Sequence, residues 1–129
     1  MSNIPADLKY ANSHEWVRVD SDNLVTIGIS DYAQEKLGDV VFVELPEEGA
    51  EILAGDPIAV VESVKAASDI YTAVTGTVME VNSALEDIPE QINTDCYEDG
   101  WLVKIKISDP EELLDLMDAD SYADQCAEE

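Results

Sequence analysis

At 129 residues the chain has the length of one domain and enough sequence to bury a core. Thirty Asp and Glu stand against six Lys and Arg, a formal net charge of −24. That balance excludes a nucleic-acid backbone or an anionic membrane surface as partner, because nothing in the chain neutralises a run of phosphates, and it favours partners with positive patches. Acidity on this scale can mean disorder, but 46% of the residues are apolar and they recur periodically, so a folded chain is expected up to the last few residues. No apolar run is long enough to span a bilayer. The start, Met1-Ser2-Asn3-Ile4-Pro5, has neither the basic and apolar pattern of a signal peptide nor the arginines of a transit peptide, so a soluble, intracellular protein is expected.

Strand signals fill the first hundred residues. Residues 15–19 alternate, with Trp16 and Arg18 on one side and Val17 and Val19 on the other. Asp20-Ser21-Asp22-Asn23 is a turn cluster, and residues 24–29 return as the second strand of a hairpin. Ser30 or Asp31 can cap a short helix through Leu37; Asp31 with Gln34 fits a capping box, and Gly38 supplies a left-handed stop. Residues 40–45 are a β-branched and aromatic strand, ended by Pro46-Glu47-Glu48-Gly49. A short strand covers 51–53, and Ala54-Gly55-Asp56-Pro57 turns the chain into a strand ending at Val64. Lys65 then sits at a tip, and the chain returns as a strand to Val74. Residues 76–81 form another strand, and the polar stretch 82–99 reads as a long loop. Residues 101–107 alternate, with Trp101, Val103, Ile105 and Ile107 inward. Asp109-Pro110-Glu111-Glu112 starts a helix whose apolar face is Leu113, Leu114, Leu116 and Met117, and a last helical piece covers 121–127. Short strands with glycine turns predict a small antiparallel sandwich or barrel with helices at its edges.

Most signatures of catalysis are absent. There is neither a GxGxxG nor a GxxxxGK loop, and no EF-hand. His14 is the only histidine, and no nucleophile elbow accompanies it. Cys96 and Cys126 have neither zinc-site nor redox-pair spacing and read as two reduced thiols. Lys65 remains, in Glu62-Ser63-Val64-Lys65-Ala66-Ala67-Ser68-Asp69. A nucleophilic lysine is desolvated or set among cations, whereas Glu62 and Asp69 favour the charged form. Small neighbours on a tight tip give a modifying ligase open access, so the position suits a modified lysine that carries chemistry the protein lacks.

Four segments carry a family resemblance: Ser13-His14-Glu15-Trp16, the run from Gly38 to Pro46, Glu62-Ser63-Val64-Lys65-Ala66, and the run from Gly100 to Ile105. With them the chain resembles the H-protein family of the glycine cleavage system over essentially its whole length. The resemblance implies a mainly β barrel-sandwich hybrid with a short internal helix and a C-terminal helix, spanning residues 1–129 as a single lipoyl-carrier domain. It implies lipoic acid in amide linkage to Lys65, installed by a lipoyl-attaching enzyme. The implied role is that of a non-catalytic carrier: glycine's aminomethyl group is taken up at the pyridoxal-phosphate P protein (glycine decarboxylase), passed to tetrahydrofolate by the T protein (aminomethyltransferase), and the arm is reoxidised by the flavin-dependent L protein (dihydrolipoyl dehydrogenase). The family's amine dock maps onto Ser13, Glu15 and Asp69. Many members have His where this chain has Tyr32, which argues against a proton-linked role there and not against the carrier function. A monomer in the bacterial cytoplasm is the expected setting.

Two other readings stay open at this point. A lipoyl domain of a 2-oxo acid dehydrogenase is normally joined to a catalytic core by Ala/Pro linkers, which this chain lacks. A lipoylation-incompetent relative would use the same fold as a scaffold, with Lys65 an ordinary surface residue. A biotin carrier fits less well, because its lysine lies between methionines and the neighbours here are Val64 and Ala66.

Overall fold

Among the residues that the computed structural model describes, 4–21 and 23–128, the apolar alternation forms nine strands. They are β1 (Lys9–Tyr10), β2 (Glu15–Ser21), β3 (Leu24–Ile29), β4 (Val40–Glu44), β5 (Glu51–Ile52), β6 (Pro57–Ser63), β7 (Ala67–Tyr71), β8 (Gly76–Val81) and β9 (Val103–Ile107). Asp22 of the expected turn, the first three residues and the last lie outside that description. One antiparallel sheet runs β1-β2-β3-β9-β8-β5 and the other β4-β6-β7. Val17, Val25, Ile27 and Ile105 from the first meet Val43, Val61 and Ile70 from the second in one buried core. Removing such side chains from water is what holds the two open sheets face to face, at roughly 1.5–3 kcal/mol each.

β2 is buried on both faces where it leaves the N-terminal turn. Val17 enters the main core, while Trp16 joins Leu8, Tyr10 and Tyr122 in a second cluster behind the six-stranded sheet. The cover is the C-terminal helix, which spans Ala119–Glu128, close to the expected 121–127. Tyr122 from that helix stacks on Tyr10 with ring centroids 4.5 Å apart, and the Trp16 indole donates to the Cys96 carbonyl at 3.0 Å. Tyr10 likewise keeps its polar tip bonded, its hydroxyl donating to the Pro5 carbonyl at 2.7 Å, as burial requires.

Four expectations need correction. The helix α1 (Asp31–Leu37) is capped by Ser30, whose hydroxyl accepts from the Ala33 amide at 3.2 Å; Gln34 instead donates to the Asp31 carboxylate, so no box closes. Stretch 82–99 is not a loop throughout, because Leu85 and Ile92 bury themselves by forming two short helices, α2 (Ala84–Asp87) and α3 (Gln91–Thr94). The Asn82 amide fastens the ends of this excursion by donating to the carbonyls of Asp99 and Trp101. Leu102, not Trp101, is the fully buried residue entering β9; its amide bonds to the Ile27 carbonyl at 2.9 Å, and Trp101 stays half-buried. Finally, Pro110–Asp115 is a 3-10 turn rather than an α-helix. A three-residue repeat aligns Leu113 with Leu116 against the core and leaves Leu114 79% exposed, so the expected four-residue apolar face does not form.

Candidate functional site

Lys65 stands exposed at the tip between β6 and β7. The two strands pair Val60 with Asp69, Val61 with Ser68 and Glu62 with Ala67, which leaves only residues 63–66 to turn the chain. Ser63 holds that turn: its amide donates to the Ala66 carbonyl at 2.8 Å, and its hydroxyl accepts from the amides of Lys65 and Ala66 at 3.2 Å each. Ser63→Ala is therefore expected to cost about 1 kcal/mol and to speed hydrogen exchange at the Lys65 and Ala66 amides. Exchange protection unchanged at both amides would show that the hydroxyl does not hold the tip.

Beside the tip lies a groove of about 490 Å³ whose lining includes Ser13, Glu15, Tyr32, Leu37, Ala66 and Asp69. Three of the expected site residues, Ser13, Glu15 and Asp69, thus share one groove, while Lys65 stands next to it in the chain through Ala66. Ser13 and Glu15 arrive from the turn before β2, where the Ala11 amide bonds to the Glu15 carbonyl at 2.9 Å and the His14 amide to the Ala11 carbonyl at 3.0 Å. Asp69 arrives from β7.

Glu15 is the electrostatic centre of the groove. It is only 2% exposed. Burial raises its pKa from 4.5 to about 7, against the opposing pull of the Ser13 hydroxyl and of the backbone amides of Tyr71 and Glu15 itself. A carboxyl so placed gains a great deal from an incoming cation, which supplies the partner that water no longer provides.

His14, Tyr32 and Lys36 wall the groove. His14 adopts φ 78°, its ring stacks on Tyr32 at 4.9 Å between centroids, and its Nδ1 is hydrogen-bonded to the Tyr122 hydroxyl at 2.7 Å. The same hydroxyl meets the Ser30 hydroxyl at 2.5 Å, so the C-terminal helix braces both the N-terminal turn and the start of α1. Lys36 lies over the Tyr32 ring at 5.3 Å. Neither Cys96 nor Cys126 is disulfide-bonded, both lie outside the groove lining, and burial pushes Cys96 up to about 12. No group of three or more His, Cys, Asp and Glu suited to a metal occurs among the described residues.

Two facing antiparallel sheets with a lysine on the tip of a tight hairpin define a lipoyl-domain-like barrel-sandwich protein. The comparisons with known proteins carry this to a family. The family model described as Glycine cleavage H-protein matches residues 8–129. The glycine cleavage system H protein of Stenotrophomonas maltophilia is 58% identical over 129 residues, covering 100% of this chain and 98% of the relative. That of Idiomarina loihiensis is 61% identical over 122 residues, 95% of each chain. The crystal structure of a glycine cleavage system H protein from Mycobacterium marinum superposes with a TM-score of 0.87 at 39% identity, covering 96% of this chain and 99% of that one. The chain belongs to the glycine cleavage H-protein family, the lipoyl carrier shuttle of the glycine cleavage system.

Proposed function

We propose that Lys65 carries a lipoyl group in amide linkage and that Ser13, Glu15 and Asp69 hold the amine end of its cargo between transfers. The observation that carries this reading is the exposed Lys65 tip beside a groove lined by those three residues. When bound, the lipoyl group supplies a disulfide that takes up glycine's aminomethyl carbon and is regenerated after transfer. The lining fits such an arm: Ile29, Ala33, Leu37 and Ile70 suit a methylene chain, and Ser13, Glu15 and Asp69 suit an ammonium. Glu15 in its ionised form accepts from the ammonium, Asp69 adds a second negative charge, and the Ser13 hydroxyl orients the Glu15 carboxylate. Burial of Glu15 limits the access of water to this end of the groove.

In this reading residues 1–129 act as one non-catalytic carrier domain, a monomer that meets the P, T and L proteins and a lipoyl-attaching enzyme in turn. The excess of acidic residues favours docking to basic surfaces on those partners. No helix among the described residues is long and apolar enough to cross a membrane, and the relatives named above are bacterial, which supports a cytoplasmic setting. The test is the mass of the Lys65-containing peptide from cells competent in lipoylation. One lipoyl adduct on that peptide is the expected result; an adduct on any other lysine would overturn the assignment.

A further inference from the structure

We infer that Gly38 and Asn93 form a saddle that turns the Lys65 side chain toward the groove, making both of them positioning residues for the carried arm. This rests on the reading of Lys65 and the groove given above, and it assigns a part to two residues outside the groove lining.

Gly38 follows α1 with φ 79° and ψ −158°, a region that residues with a side chain avoid. A Cβ built on it would lie 3.0 Å from Lys65 Cε, 3.7 Å from Nζ and 3.9 Å from Cδ. The lysine stem, though exposed, therefore runs along the Gly38 backbone. Leu37 and Ala66, the chain neighbours of Gly38 and Lys65, both line the groove. A stem lying across Gly38 is consequently already at the groove's rim.

Asn93, from α3, fixes the height of this crossing. Its Nδ2 donates to the Gly38 carbonyl and to Gln34 Oε1, both at 2.9 Å, and its Oδ1 accepts from the Val40 amide at 2.8 Å. One side chain thus grips the crossover on both sides of Asp39. The Asp39 carbonyl in turn accepts from the Val64 amide at 3.0 Å, next to the lysine. The segment 38–40 is clamped from below by Asn93 and tied above to the tip. A helix stop alone requires the positive φ of Gly38; it requires neither the grip of Asn93 nor the passage of the lysine stem. A restricted starting direction reduces the freedom an arm loses when it docks.

The experiment uses the full chain, unmodified and lipoylated, with Gly38→Ala, Asn93→Ala and Glu15→Ala. In the unmodified wild type, a nuclear Overhauser contact between the Lys65 ε-methylene and the Gly38 α-protons is expected, and Asn93→Ala should weaken it while leaving the sheet amide shifts in place. After lipoylation and loading, both saddle variants should lose the amine roughly tenfold faster than wild type, with ligase-catalysed lipoylation changed by no more than about twofold. Wild-type rates of amine loss in both variants would overturn the saddle. Where Gly38→Ala fails to fold, Asn93→Ala decides alone. Glu15→Ala separates the two ideas: if it too retains the amine like wild type, the dock itself is wrong; if it loses the amine quickly while the saddle variants do not, only the saddle is.

Discussion

Lys65→Arg should carry no lipoyl adduct and support no glycine-dependent carbon dioxide exchange above background, while its unfolding free energy stays within about 0.5 kcal/mol of wild type. Amide formation needs a lysine amine that loses its proton, and a guanidinium with a pKa above about 12 does not supply one. The fold has little at stake in the change. The side chain is exposed at the tip, and the turn is held by Ser63 and the backbone. Intact mass reads the adduct, urea unfolding reads the fold, and reconstitution with the P protein reads the exchange. Amidation also removes a positive charge from a chain with only six Lys and Arg, so lipoylated wild type should focus at a lower isoelectric point than Lys65→Arg. An adduct that survives the substitution would move the attachment to another residue. Exchange that survives loss of the adduct would sink the carrier reading and leave a scaffold in its place.

The fold was legible where the apolar pattern is local. β3 at Leu24–Ile29 and β8 at Gly76–Val81 run between turn signals and have the expected bounds. It was illegible where tertiary burial selects the conformation. α2 and α3 have four residues each, too few for helix propensity to assert itself, and they exist because Leu85 and Ile92 find the core. Trp101 and Leu102 exchange roles for a similar reason: the larger residue looked like the buried one, but the alternation does not extend beyond the regular strand. At the site, local sequence singled out only Lys65, through its small neighbours and hairpin tip. Ser13, Glu15 and Asp69 were named by resemblance, and nothing local says that residues from β2's turn and from β7 line one groove. Asn93 and Tyr122 had no signal at all, and His14 stood out only as the single histidine of a matching segment, not as a ring of the groove wall. The side-chain hydrogen bonds described for them reach 53 to 108 residues along the chain, and a positive φ at His14 leaves no mark in its residue type.

Glu15→Gln should separate the pH dependence of stability from that of wild type, and the sign follows from burial. The folded protein holds the Glu15 proton more tightly than the unfolded chain, with a pKa of about 7 against 4.5. Below the unfolded value both states are protonated and the residue costs nothing. As pH rises from about 4.5 through 7 the unfolded chain ionises first, so this contribution to stability is progressively lost. The shift corresponds to about 3 kcal/mol, with little screening for a side chain 2% exposed. Gln keeps an acceptor for Ser13 and the Tyr71 amide but has no proton to lose. The stability of wild type minus that of Glu15→Gln should therefore fall by about 3 kcal/mol between pH 4 and pH 8 in urea unfolding, the other carboxylates cancelling in the difference. Parallel curves would mean that Glu15 is solvated as the surface carboxylates are. The same linkage bears on the cargo. An ammonium docked against Glu15 favours the ionised form, so the loaded protein should lose most of this slope, and retention of the amine relative to Glu15→Gln should improve as pH rises toward 8. A buried carboxylate that weakens the empty carrier is then the group that holds the full one.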